Sequence, residues 1–289
     1  SQLSATDRRW ETAILMLNVG TNHRVGPNRL YVKMARAWAE QGYSALRFDL
    51  AGIGDSSSAA GYTRARLYSK ESTVDVRAAI DCLSQRGCKR FIVMGLCSGA
   101  YVAFQTALIE PRVSGQILMN PRRLEWKEGE TLQSAMQVSY KSTHFYKKAL
   151  MDFRTYSRIL RGQVDLKGIA SRMSMLFKAR LKRTVNNIFR NAPDEDDVLS
   201  NVKLLCSKGT DTLMIIGAED DGRDYIEFHL GEHGRKVGKV AGFKMAIVEG
   251  SDHTFSNADS QDTVTALVQQ HLDRAVSVSK FSGSQRLAQ

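Results

Sequence analysis

The sequence predicts an α/β fold in which a mostly parallel sheet is covered by helices on both faces. Six apolar runs of strand length alternate with stretches whose apolar residues recur at helical spacing. Strands that are apolar on both faces are typical of a parallel sheet buried between two helical layers. Strands are predicted at 13–19, 44–49, 91–95, 115–119, 212–217 and 243–248, and helices at 28–41, 73–85, 100–110, 224–233 and 263–276.

A basic segment interrupts this alternation after the fourth strand. Residues 141–190 contain thirteen Lys or Arg and two Asp. The resulting charge of this segment, +11, equals the net charge of all 289 residues. Apolar residues at helical spacing predict amphipathic helices there. We therefore expect an α/β core at 1–120 and 208–276, an inserted basic helical cap at 121–207 and a flexible tail at 277–289.

The positive charge has several interpretations. A solvated cap surface is one, and a docking surface for a phosphate-bearing substrate or an acidic carrier protein is another. Peripheral contact with an anionic membrane stays open, whereas no recognition motif accompanies the charge to indicate nucleic acid. The oligomeric state has no signature in the sequence.

The four cysteines, Cys82, Cys88, Cys97 and Cys206, form no paired pattern typical of a disulfide framework. This usage fits a reducing cytosol, and a cytoplasmic location is expected. No apolar run approaches the length of a membrane span, and the first eleven residues contain no apolar signal core.

A cysteine lies in a glycine-flanked turn directly after the third predicted strand. The run is Gly95-Leu96-Cys97-Ser98-Gly99. A nucleophile on a sharp strand-to-helix turn needs neighbours without Cβ atoms two positions to either side. Only Cys97 has both glycines, because a centre at Ser98 would require them at Leu96 and Ala100. The pattern predicts acyl chemistry through a thiolate.

A thiolate nucleophile needs a base and an acid that orients it, and both occur later in the chain. Asp220 follows the fifth strand and His253 follows the sixth. The carboxyl ends of parallel strands share one edge of the sheet, so Cys97, Asp220 and His253 are the predicted catalytic residues. Glu219 and Asp221 are alternatives for the acid.

No metal or cofactor is expected. The run His229-Leu230-Gly231-Glu232-His233 fits an H-x-x-E-H zinc pattern, but Gly231 weakens the helix and no third ligand follows. Gly52-Ile53-Gly54 follows a strand but lacks the third glycine of a dinucleotide fingerprint, so it indicates a turn.

With these motifs the chain resembles the α/β-hydrolase superfamily, and the pattern is similar to that of exosortase-associated and aminopeptidase-like bacterial hydrolases. The cysteine in the turn also resembles dienelactone hydrolases, polyhydroxyalkanoate synthases and thioesterase domains. The resemblance implies that the loop around Gly20, Thr21 and Asn22 supplies one backbone amide of the oxyanion hole and that Ser98 supplies the other. It is carried by Val19-Gly20, Arg24-Val25-Gly26, Leu46-Arg47-Phe48-Asp49, Gly52-Ile53-Gly54-Asp55-Ser56 and the turn at Cys97.

Thiol chemistry favours transfer or hydrolysis of acyl thioesters, because a thiolate exchanges with a thioester almost isoenergetically. The expected substrate is an acyl group on the pantetheine arm of coenzyme A or of an acyl carrier protein, both of which are anionic. Two alternatives stay open. One is an ester or lactone hydrolase of the dienelactone type, and the other is a non-catalytic protein that binds a ligand or partner in the same pocket.

Overall fold

Over the residues that the structure describes, the protein forms a six-stranded parallel sheet with helices on both faces, in agreement with the predicted fold class. The computed structural model describes residues 9–58, 67–126 and 197–285. The strands are β1 (Thr12–Leu17), β2 (Ser44–Arg47), β3 (Arg90–Leu96), β4 (Val113–Met119), β5 (Asp211–Gly217) and β6 (Phe243–Val248).

The strand order β2-β1-β3-β4-β5-β6 explains where a site can form. From β1 the chain moves outward to β2 and then returns to β3 on the other side of β1. The loops after β1 and β3 therefore leave the sheet in opposite directions. A crevice opens at such a reversal, beyond the carboxyl ends of the strands.

Two apolar layers cover the sheet. On one face α1 and α6 pack through residues such as Trp38 and Val268, and on the other α2 to α5 pack through residues such as Ile80 and Phe104. None of the helices within the described ranges is long and apolar enough to cross a membrane. The helices are α1 (Leu30–Glu40), α2 (Ser72–Gln85), α3 (Ser98–Ile109), α4 (Val198–Ser207), α5 (Gly222–Leu230) and α6 (Ala258–Gln285).

The structure differs from the sequence prediction at two boundaries. Residues 198–207, which were assigned to the inserted cap, form α4, whose Val198 and Val202 are buried in the core. Asp197 caps this helix by accepting a hydrogen bond from the Ser200 amide (3.0 Å). At the other end, α6 continues to Gln285, beyond the predicted end at Val276 and into the segment that was expected to be a flexible tail. The basic residues 141–190 lie outside the described residues.

Candidate active site

Cys97 lies on a sharp turn between β3 and α3. Its backbone has φ 58° and ψ −116°, a conformation that costs a non-glycine residue about 1–3 kcal/mol and that is concentrated at functional sites. The flanking glycines are required by close backbone contacts. A Cβ at Gly95 would lie 2.1 Å from the carbonyl carbon of Gly99, and one at Gly99 would lie 2.5 Å from the Asn18 oxygen. The turn holds Cys97 partly exposed at the end of β3, where the strand order reverses.

His253 and Asp220 meet at the same edge of the sheet. Nδ1 of His253 is hydrogen-bonded to Oδ2 of Asp220, whose side chain is fully buried. The other oxygen of Asp220 accepts a hydrogen bond from the Gly222 amide (2.8 Å). The alternative acids do not occupy this position, since Glu219 and Asp221 are exposed. The geometry brings Asp220 to the histidine, as the strand order predicts.

Asn120, which the sequence analysis did not identify, fixes the loop that carries His253. It is fully buried at the end of β4, with a positive φ of 41°. Its amide group donates to the backbone oxygens of His253 (2.8 Å) and Asp252 (3.3 Å). Its side-chain oxygen accepts from the Gly217 amide (2.6 Å). Asn120 therefore connects the ends of β4 and β5 to the histidine loop.

The electrostatics of the site favour a thiolate paired with an imidazolium. Burial raises the pKa of Cys97, but the hydrogen bond to His253, the charge of that ring, a hydrogen bond from Tyr68 and the charge of Arg122 outweigh it and lower the pKa. Burial lowers the pKa of His253, yet its hydrogen bonds to Asp220 and Cys97 raise it to about 9. The lowered pKa of Cys97 and the raised pKa of His253 both mean that the charged forms, thiolate and imidazolium, are favoured when the two side chains are paired.

An aromatic cluster that the sequence analysis missed lies against the sulfur. The hydroxyl of Tyr68 is 3.8 Å from Sγ of Cys97. The Tyr68 ring stacks on Trp126, with centroids 5.2 Å apart, and contacts Tyr101 of α3 at 5.4 Å. The guanidinium group of Arg123 lies over the Trp126 ring, 5.9 Å from the ring centroid. Arg123 and Trp126 are thus joined to Cys97 through Tyr68.

The loop after β1 is attached directly to the turn. The Gly20 amide donates a hydrogen bond to the hydroxyl of Ser98 (2.8 Å), and the Asn22 amide donates to the Val19 oxygen (3.0 Å), which leaves Thr21 as the amide donor of the predicted set on that loop. The Ser98 amide begins α3 and has no partner within the helix. The buried Asp49, which follows β2, accepts hydrogen bonds from Asn18 (2.8 Å) and from the Arg24 amide (2.6 Å) of this loop.

The residues of the zinc pattern are not arranged as the motif requires. The helix α5 ends at Leu230, and Gly231 has φ 81°, so His229 and His233 do not share one helical face. His229 is buried beside Glu125 (3.9 Å), whereas His233 lies 3.4 Å from Arg223.

The parallel sheet, the turn after β3 and the histidine–carboxylate pair after β5 and β6 define the hydrolase class of α/β proteins. The chain belongs to the alpha/beta hydrolase family, whose sequence profile matches residues 20–267. Among curated proteins, none matches this chain in sequence.

Solved structures share the fold at low sequence identity. An esterase from Pyrococcus furiosus superposes with a TM-score of 0.54 and 15% identity, covering 93% of this chain and 83% of its own. A thermophilic esterase from Thermogutta terrifontis, solved with malate bound, gives 0.53 and 14%, covering 91% and 90%. A proline iminopeptidase from Mycobacterium smegmatis gives 0.52 and 14%, covering 94% and 92%. At these identities the likeness extends to the fold alone.

The ion pair predicts how alkylation of Cys97 depends on pH. Iodoacetamide reacts with the thiolate, so the rate should rise as pH passes the lowered pKa, below the value of about 8.5 for a free thiol. In His253→Ala, burial still raises the pKa of Cys97, and only Tyr68 and Arg122 of the groups named above still lower it. The inflection should therefore move upward by at least about one pH unit. Intact mass spectrometry in a Cys82→Ala background, which removes an exposed thiol, measures both rates. Equal inflections in the two proteins would contradict the pairing.

Proposed function

We propose that this protein transfers or hydrolyses acyl groups through an acyl-Cys97 intermediate. The observation that supports this most directly is the geometry of the sulfur. It lies partly exposed on a strained turn, in hydrogen-bond contact with His253, which is itself held by the buried Asp220. This is the arrangement of nucleophile, base and orienting acid that acyl transfer requires.

In the first step the Cys97 thiolate attacks the acyl carbonyl carbon and forms a C–S bond. Negative charge moves to the carbonyl oxygen, where the Ser98 amide and a donor from the loop after β1 would stabilise it. When the intermediate collapses, the bond to the leaving group breaks. The leaving sulfur or oxygen takes the proton from the His253 imidazolium, and the acyl group remains on Cys97 as a thioester.

In the second step neutral His253 removes a proton from the acceptor, which attacks the thioester carbonyl. The C–S bond to Cys97 then breaks and restores the thiolate beside the imidazolium, so protons and charge balance over the cycle. Asp220 keeps Nδ1 of the ring oriented in both steps. Thioesters react with amines and thiols more readily than with water, which favours transfer over hydrolysis.

The substrate class follows from the thiol and the charge. Exchange between the Cys97 thiolate and an incoming thioester is nearly isoenergetic, whereas attack on an ordinary ester is uphill. Coenzyme A and acyl carrier proteins present such thioesters on a phosphorylated arm. Arg122 near the sulfur and the thirteen Lys or Arg of residues 141–190 supply complementary charge.

Incubation with a panel of acyl-coenzyme A thioesters tests the proposal. We expect one acyl group per chain by intact mass spectrometry, located on the peptide that contains Cys97 and removed by neutral hydroxylamine, which cleaves thioesters. Addition of amine, thiol or alcohol acceptors to the isolated adduct then shows where the acyl group goes. A Cys97 that stays unmodified with every thioester of the panel argues against the proposal.

Ester or lactone hydrolysis is the second candidate, and membership of a hydrolase family favours it. An activated ester such as p-nitrophenyl acetate, included in the same experiment, separates the two candidates. Rapid turnover of the ester with no acylation by thioesters would assign the protein to the second candidate.

A further inference from the structure

We propose that Tyr68 is a catalytic residue that remains protonated and donates a hydrogen bond to the Cys97 thiolate. This inference rests on the proposed function, because it assigns a role at the same sulfur. Tyr68 lies in the short segment before α2, and its hydroxyl is 3.8 Å from Sγ, within the range of a hydrogen bond to sulfur. Neither the glycine pattern nor the order of the predicted catalytic residues indicates it.

The surroundings of Tyr68 hold the hydroxyl in place. Tyr68 is only 4% exposed, and its ring packs against Trp126, stacked nearly parallel at 12°, and against Tyr101. A buried ring that packs against two other aromatic rings has few rotamers available, so the hydroxyl meets the sulfur without a large ordering cost. Packing alone would be served equally by phenylalanine, and among the described residues only the contact with the Cys97 sulfur requires the hydroxyl.

Charge decides which atom carries the proton. Burial and the neighbouring sulfur raise the pKa of Tyr68, whereas the pKa of Cys97 is lowered, so the phenol is still protonated at the pH at which Cys97 becomes a thiolate. A hydrogen bond to a charged acceptor is stronger than one between neutral groups. Tyr68 is therefore a donor to the charged sulfur and does not act as a base.

The bond has a consequence for catalysis because it favours the free thiolate over the acylated sulfur. A thiol of lower pKa is a weaker nucleophile but a better leaving group. Tyr68 should therefore assist the second step, in which the Cys97 sulfur leaves. Its removal should make the acyl adduct persist longer before an acceptor takes the acyl group.

The variant Tyr68→Phe tests this role because it removes the hydroxyl and keeps the ring. We expect the inflection of Cys97 alkylation to rise by about one pH unit, so that on the acidic side the fraction of Cys97 present as thiolate falls about tenfold. The limiting rate at high pH should not fall, because a more basic thiolate is at least as nucleophilic. Ultraviolet absorbance of the thiolate, followed against pH, gives the same inflection without a reagent.

Tyr43→Phe is the matched control. This buried tyrosine lies just before β2, at the edge of the sheet opposite Cys97, and its hydroxyl has no hydrogen-bond partner within the part of the chain that the structure describes. We expect no change in the inflection, and both variants should retain the thermal midpoint of the parent within a few degrees. An unchanged inflection in Tyr68→Phe overturns the role of Tyr68, even where Cys97 is still acylated. A raised inflection without any acylation supports Tyr68 as the donor and rejects the acyl-transfer proposal instead.

Discussion

Replacing Cys97 with alanine is expected to reduce thioester turnover by about 10⁴-fold or more. Without the sulfur no covalent intermediate can form, and His253 has no nucleophile to activate. The fold should survive, because the side chain is small and partly exposed. Release of free coenzyme A, separated by chromatography, measures turnover, and intact mass spectrometry should find no acyl adduct.

Cys82→Ala is the control for this experiment, because Cys82 is a free cysteine on the exposed part of α2. It should keep the full rate and the full adduct. Cys97→Ser tests whether sulfur itself matters. A hydroxyl is far less acidic than a thiol, so the ion pair with His253 is lost, and any acyl group is held as an ester that amines attack poorly. If Cys97→Ala retained the wild-type rate, turnover would not depend on Cys97, and the proposal of an acyl-Cys97 intermediate would be rejected.

Local patterns in the sequence were sufficient for the fold class and for the meeting of Asp220 with His253. A parallel strand sends its carboxyl end to a common edge, so the residues that follow β3, β5 and β6 are neighbours whatever their distance in sequence. The turn at Cys97 could be predicted from the sequence because a side chain at either flanking position would clash with the backbone, so only glycine fits at Gly95 and Gly99.

Tyr68 and Asn120 could not be found in this way. The contact of Tyr68 with Cys97 joins residues 29 positions apart, and Asn120 reaches His253 across 133 positions, with no periodic or spacing signal in either case. The sequence Asn120-Pro121 indicates that β4 ends there, but the buried hydrogen bonds of the Asn120 side-chain amide depend on the tertiary fold. Helix α4 was missed for a related reason, because it adjoins the basic segment and was grouped with it.

Replacing Gly95 with alanine is expected to lower the free energy of unfolding by about 3 kcal/mol or more. Overpacking typically costs about 1–3 kcal/mol, and this site lies at the upper end of that range. The added methyl group would lie 2.1 Å from the Gly99 carbon and 2.6 Å from the Ala100 nitrogen. These are backbone atoms on the first turn of α3, so no side chain can rotate away. The helix would have to move relative to β3. A folded domain is commonly stable by only about 5–15 kcal/mol, so the loss is a large share of the total.

Urea unfolding compares this variant with Gly238→Ala, in which the methyl group meets only the Gly234 oxygen at 3.7 Å and φ lies outside the left-handed region. Gly238→Ala should change stability by no more than about 1 kcal/mol. Any Gly95→Ala protein that folds should also alkylate Cys97 with a raised inflection, since displacement of α3 separates the sulfur from His253. Equal stability of the two variants would mean that the turn tolerates a side chain at Gly95, and the steric reason for placing the nucleophile at Cys97 would then be lost.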